Sequence, residues 1–238
     1  MGEVIKVDNL SKSYNDILVI KNLSIQVNRG RVFGLLGANG AGKSTTIECI
    51  IGTKKYDKGS VSILGMNPAK SRKKLFERVG VQFQEANYQS EIRVDELCEE
   101  TASLYQNTLD WMELLNKFGL SNKIKSSVKK LSGGERQRLF VILALIPNPE
   151  VVFLDELTTG LDVKARRGVW KILKDLKRDG VTIFMTSHFM DEVEALCDEI
   201  CILKDGESVF YGTVSKAVSD SPYDKLEDAY LWYSGRKK

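Results

Sequence analysis

Apolar positions along the chain change their period repeatedly, and the changes mark out alternating short strands and helices. Val4–Val7 has strand length. Val19-Ile20 and Leu23–Val27 cluster or alternate in β fashion and close on a turn at Asn28–Gly30. Val32–Leu36 is an unbroken apolar run that leads directly into a glycine-rich loop, after which Lys43–Ile51 reads as a helix ended by Gly52. Ser60–Leu64 is a strand between two glycines, Pro68–Arg78 a helix with a basic face, and Gly80–Gln84 a short strand ending in polar residues. From Val94 to Leu120 the apolar residues Leu97, Leu104, Trp111, Leu114, Leu115 and Phe118 fall at helical spacing without any β signal, which reads as a helical insertion.

Ser132-Gly133-Gly134 opens a helix through about Leu145, stopped by Pro147 and Pro149. Val151–Leu154 is a fully apolar strand followed by two acids. Val163–Arg178 is a helix ended by Gly180, and Val181–Met185 a strand that finishes at Thr186-Ser187-His188. Asp191–Cys197 is helical. Ile200–Leu203 and Ser208–Tyr211 form a hairpin around Asp205-Gly206, and an amphipathic helix near Lys225–Trp232 precedes a basic end. Strands separated by crossover helices predict an α/β fold with a mainly parallel sheet. In such sheets ligands gather at the carboxyl ends of strands, and the chemically interesting loops here all follow strands.

Composition narrows the class. With 238 residues the chain can bury a core without disulfides or structural metal. Lys and Arg total 35 against 32 Asp and Glu, too even a balance for a dedicated nucleic-acid binder. Cys49, Cys98, Cys197 and Cys201 are too scattered for a disulfide framework, and the one histidine lies too far from the last pair to complete a metal site, so the chain suits a reducing compartment. No secretion signal is visible, and the longest apolar run, Leu139–Ile146, is far short of the ~20 residues that cross a bilayer.

The loop after Val32–Leu36 reads Gly37-Ala38-Asn39-Gly40-Ala41-Gly42-Lys43-Ser44-Thr45, which fits the phosphate-binding loop spacing. Glycines let backbone N–H groups turn inward around phosphate oxygens, and the helix starting near Lys43 aims its positive end at the same anion. Lys43 would reach the β- and γ-phosphates and the Ser44 hydroxyl would meet Mg²⁺. The alternative, a chance match in a glycine-containing turn, is weakened by its place between a strand and a helix. At the end of Val151–Leu154, Asp155 offers a second Mg²⁺ anchor and Glu156 a general base for an attacking water. Two solvated acids at a strand end are the plainer reading, less apt beside such a loop. His188 and Gln84 also stand at strand ends, from which an imidazole can donate to a γ-phosphate oxygen and an amide can reach Mg²⁺ or water; a lone histidine is more often a satisfied surface or core residue, and periodicity alone makes neither assignment.

These motifs, in this order, resemble the ATP-binding subunit of an ABC transporter over about residues 3 to 215. The most specific is LSGGERQR, Leu131–Arg138, similar to the family's signature sequence; LDELTTGLD, Leu154–Asp162, resembles its second phosphate-site motif running into the D-loop. The resemblance implies a P-loop NTPase fold of ABC ATPase type, with a mainly parallel sheet core, an antiparallel β portion and a helical subdomain at 87–130 inside a single domain 1–238. Residues 216–238 would add a short helix and basic tail. It implies ATP and Mg²⁺ as ligands, Tyr14 stacking on adenine, and Gln84 and His188 as the Q-loop and switch residues. Ser132, Gly133 and Gly134 would close on the nucleotide of a second subunit in a homodimer or heterodimer, with Asp162 at the interface. A separate transmembrane permease would dock on the helical subdomain, placing the protein peripherally on the cytoplasmic face of the membrane, with no direct nucleic-acid partner. GVQFQEANY and SHFMDEVEALCDEICILKDGE resemble the multidrug, polysaccharide and lipid exporter branch. Leu157 and Val163 depart from the family's usual prolines, and Glu135 from a frequent glutamine, but no catalytic group is lost. A soluble ABC-type ATPase acting on ribosomes or DNA is the alternative; such proteins usually carry two ATPase domains or long coiled-coil insertions, absent here.

Overall fold

The structure is a computed structural model that describes residues 2–83, 89 and 91–235. Among them, two sheets form. β1 (Glu3–Tyr14), β2 (Ile17–Asn28) and β4 (Lys58–Ile63) make an antiparallel sheet in the order β2-β1-β4. The central sheet runs β5-β6-β7-β3-β8-β9, from β3 (Val32–Gly37), β5 (Val79–Gln82), β6 (Val151–Asp155), β7 (Thr182–Ser187), β8 (Glu199–Lys204) and β9 (Glu207–Thr213). All its pairings are parallel except the β8–β9 hairpin. The helices are α1 (Lys43–Ile50), α2 (Arg72–Phe76), α3 (Val94–Ser103), α4 (Trp111–Lys117), α5 (Gly133–Leu145), α6 (Val163–Arg178), α7 (Met190–Leu196), α8 (Val214–Ser219) and α9 (Leu226–Tyr233).

The unbroken apolar runs in β3, β6 and β7 follow from position: these strands are covered on both faces and every residue in them is buried. Alternation still sorts their side chains. Val32, Val152, Leu154, Ile183 and Met185 pack with α3–α6, whereas Phe33, Leu35, Val151, Phe153 and Phe184 pack with α1 and the antiparallel sheet. Phe184 anchors the second layer, its ring 5.1 Å from Phe33 and 5.3 Å from Phe153.

Four expectations change. The first two strands are each twelve residues long rather than short, because Asn9 (φ 50°) and Asn22 (φ 53°) sit in left-handed conformations where the β1–β2 register shifts, and those bulges interrupt the two-residue period. The helix expected over Pro68–Arg78 shrinks to α2, since the Asn67 side chain accepts from the amides of Ala69 and Lys70 at 3.0 and 3.1 Å and holds a turn there instead. The helical stretch from Val94 breaks between α3 and α4: Asp110 caps α4 by accepting from Met112 N at 2.8 Å, and Leu104, one of the apolar positions at helical spacing, is 71% exposed. α8 was not anticipated; it is one short turn-and-a-half begun by Thr213, whose hydroxyl accepts from Lys216 N.

Packing between β5 and α5 leaves no room for a side chain at Gly80, where an added Cβ would lie 1.9 Å from the Ala144 carbonyl oxygen. Gly80→Ala is therefore expected to lower stability by about 1–3 kcal/mol or more. Gly168, exposed within α6 with nothing near an added Cβ, is the opposite case: Gly168→Ala should raise stability by about 0.5–1 kcal/mol. Urea denaturation of the two variants checks both signs.

Candidate nucleotide site

The carboxyl ends of β3, β6 and β7 deliver three loops to one place. The loop after β3 turns through Gly40 (φ 83°) and Gly42 (φ 101°), left-handed values that suit glycine, and Gly42 immediately precedes α1. The Lys43 side chain folds back over this loop. Its ammonium donates to the carbonyls of Gly37 at 3.0 Å and Ala38 at 3.2 Å, and lies 3.3 Å from the Glu156 carboxylate, with only 5% of the side chain exposed. A cleft of about 530 Å³ opens here, lined by Tyr14, Val19, Asn39, Gly40, Gly42, Lys43, Ser44, Thr45 and Glu156. Ala41 is buried beneath it. Val19, read from sequence only as a strand residue, is a wall of this cleft.

Tyr14 stands at the cleft's mouth with the ammonium groups of Lys12 and Lys54 at 5.0 and 5.5 Å from its ring centre. Lys54 also bonds Glu48 at 2.8 Å and the Tyr14 hydroxyl, in that order the causes that hold its ammonium above the ordinary lysine range. At the end of β6, Asp155 is 5% exposed; its Oδ1 accepts from the Thr186 hydroxyl at 2.6 Å and the carboxylate also takes the Ser44 hydroxyl. Burial pushes the Asp155 carboxyl above the usual carboxylate range against those two hydrogen bonds. Glu156 has φ 48°, a conformation that costs a non-glycine residue about 1 kcal/mol or more, and its amide donates to the same Thr186 hydroxyl at 2.9 Å. Thr186 thus fixes both acids at once. Sequence reading passed over it as part of a strand end; a hydroxyl one residue inside the strand beside β6 was the available signal.

His188 follows β7 with Nδ1 3.8 Å from Glu156 Oε2, and its ring packs on Phe189. Lys43, Asp155, Glu156 and His188 are therefore brought together. Gln84 lies outside the described residues. Ser132, Gly133 and Gly134 do not line the cleft. Ser132 caps α5: its hydroxyl accepts from Glu135 N at 3.3 Å while its own amide donates to the Glu135 carboxylate at 2.9 Å. That amide, with Lys123 at 3.2 Å, holds Glu135 below the usual carboxylate range. A hydroxyl that accepts one hydrogen bond keeps its own proton to donate. Gly134 permits α5 to touch α6, where an added Cβ would stand 2.8 Å from Ala165 Cβ. Asp162 caps α6 by accepting from Ala165 N at 2.9 Å. Leu157, in the place of the family's usual proline, is buried in the core behind the site.

The donor set suits a nucleoside triphosphate: a buried ammonium that already draws in a carboxylate, a loop turning on glycines, and a paired hydroxyl and carboxylate of the kind that hold Mg²⁺. The comparisons with known proteins agree. The ABC transporter family profile matches residues 20–159. Nod factor export ATP-binding protein I of Rhizobium etli is 39% identical over 214 residues, covering 87% of this chain and 67% of that protein. Linearmycin resistance ATP-binding protein LnrL of Bacillus subtilis is 34% identical over 226 residues, covering 88% of this chain and 69% of that protein. A solved ATP-binding subunit of an ABC transporter superposes with a TM-score of 0.88 at 26% identity, over 97% of this chain and 99% of that one. The chain belongs to the ABC transporter family, as one of its ATP-binding, ATP-hydrolysing subunits.

Asp155 gives a test that needs no nucleotide. Its carboxyl titrates higher in the folded than in the unfolded chain, so folding disfavours the ionised form. The penalty is absent below the unfolded value of about 4, grows as pH rises through the folded value and is full above it. Asp155→Asn is expected to raise the melting temperature near neutral pH and to lose that advantage in acid. Thermal unfolding across pH checks the sign; a variant melting several degrees lower at neutral pH contradicts it.

Proposed function

We propose that this subunit hydrolyses ATP to drive export through a separate membrane permease, acting as a pair of identical or similar subunits. One observation carries the reading. The chain holds a complete phosphate loop and a complete signature helix start, yet only the first lines its own cleft. Ser132, Gly133 and Gly134 then serve the cleft of a second copy, where the exposed helix start offers N–H groups and a hydroxyl to the γ-phosphate. Export is the direction that the two relatives' names support.

In this mechanism Tyr14 stacks on the adenine and residues Gly37–Thr45 wrap the phosphates, with Lys43 at the β- and γ-phosphates. Ser44, Asp155 and Gln84 would hold Mg²⁺, which when bound neutralises charge on the phosphate oxygens. Glu156 accepts a proton from the attacking water. His188, beside it, donates to a γ-phosphate oxygen and orients the pair. Water's oxygen bonds to the γ-phosphorus, the bond to the β-phosphate oxygen breaks, and ADP and phosphate leave. The bound nucleotide takes over the Lys43 ammonium, releasing Glu156 toward the water.

No helix among the described residues is long and apolar enough to cross a membrane. The protein would work peripherally at the cytoplasmic face. In this reading 87–130 would be the helical subdomain of a single domain 1–238, and 216–238 its short C-terminal helix and basic tail. A groove of about 480 Å³ between α2 and the end of α3, lined by Arg72, Lys73, Phe76, Glu77, Leu104 and Tyr105, would receive an amphipathic permease segment, with Leu104 and Phe76 for its apolar side and the charged residues for its polar side.

Glu156→Gln keeps size and hydrogen bonding but cannot take the proton, so hydrolysis should fall by about 10²-fold or more while ATP still binds. Light scattering after size exclusion should show the variant at twice the monomer mass only with ATP. A variant that turns over ATP at the wild-type rate removes Glu156 from the mechanism. Leu104→Asp, at an exposed position, should leave turnover of the isolated subunit unchanged and abolish its copurification with the permease. Undiminished copurification would show that the groove is not the docking site.

A further inference from the structure

A buried carboxylate outside the nucleotide cleft ties together the loops that carry Glu156 and His188. Glu192, in the first turn of α7, is 1% exposed. Its Oε1 accepts from Trp170 Nε1 of α6 at 2.9 Å, and its Oε2 accepts from the Ser187 hydroxyl at 2.6 Å. The Thr158 hydroxyl also donates to it. Ser187 immediately precedes His188, and its hydroxyl oxygen in turn accepts from Phe189 N at 3.0 Å, so the histidine is bracketed by two anchored residues. Thr158 lies in the loop between Glu156 and Asp162. Trp170 stands two turns into the helix that Asp162 caps.

Burying such a group is costly unless its acceptor capacity is filled. Burial does push the Glu192 carboxyl upward, and Ser187, Thr158 and Trp170 oppose it, with Arg166 as the nearby cation. Arg166 itself is paired with Asp191 at 2.9 Å and packs over Phe189 and Trp170. Three neutral donors from three separate elements therefore converge on one anion. An apolar side chain of similar volume would fill the same space without joining them.

We propose that Glu192 is a positioning residue for ATP hydrolysis, holding the Ser187–Phe189 segment and the Thr158 loop in one arrangement so that His188 stays beside Glu156 at the γ-phosphate site. The proposal rests on the catalytic reading of His188. Glu192 does not line the cleft and acts through Ser187. Because α6 is bound to the same carboxylate, displacement of the Asp162 helix start by a second subunit is transmitted to the histidine.

The test is a double-mutant cycle on the full chain. Glu192→Gln retains volume and still accepts from Trp170, but it turns an N–H toward Ser187 where an acceptor was. Rates are read as labelled phosphate released, sensitive enough for slow variants, and ATP affinity is read by titration. The expected result is a tenfold or greater loss of kcat with the ATP Kd within twofold of wild type. In a His188→Ala background the same change should cost less than a further twofold. Equal losses in both backgrounds, or a matching loss of ATP affinity, would show a general structural role and overturn the proposal. If Glu192→Gln does not fold, Ser187→Ala is judged by the same criteria. If His188→Ala alone hydrolyses ATP at the wild-type rate, the reading of His188 fails and takes the proposal with it. A crippled His188→Ala beside an unimpaired Glu192→Gln sinks the proposal alone.

Discussion

A buried ammonium has to be answered by negative charge or by carbonyl dipoles, and Lys43 sets that demand at the centre of the molecule. Its own loop supplies two carbonyls and Glu156 supplies the charge. Meeting the demand requires the ends of β3 and β6 to lie close, which the parallel sheet provides with β7 between them. β7 in turn contributes Thr186, the hydroxyl that fixes Asp155 and orients the Glu156 backbone. The apolar strands give these loop residues a rigid base; three phenylalanine rings and the packed α5–β5 contact keep it from sliding.

Much of this was legible from residue order. The phosphate loop announces itself because glycine spacing, lysine and hydroxyl are all required by one anion. The strand ends carrying Asp155 and His188 are visible because fully buried strands read as continuous apolar runs. The sequence misled where a local hydrogen bond outranked periodicity: Asn67 stopped α2 from starting early, Asp110 began a new helix, and two left-handed asparagines disguised long strands as short ones. Thr186 was legible only as a hydroxyl near a strand end, and Glu192 was not legible at all. A glutamate in the first turn of a helix ordinarily faces solvent, and nothing in its neighbours shows that Trp170 and Ser187 will meet it.

Asp155, Glu156 and Glu192 share a physical theme. Each is an acid kept in a setting that the fold alone would not choose: one desolvated, one in a left-handed backbone, one enclosed by neutral donors. Their stability cost is offset by core packing elsewhere, which is the usual relation between a working site and the scaffold that carries it.

The contact between Gly134 and Ala165 has a consequence for how such a subunit evolves. With no side chain on one helix and a single methyl on the other, the starts of α5 and α6 form one wedge. The wedge presents Ser132 and Asp162 as the two corners of a single edge. A sequence drifting toward bulk at either position would splay that edge and misplace both corners together. Each corner is therefore hostage to a residue on the neighbouring helix, and the two loops are free to vary in composition only while the gauge between them stays one methyl wide.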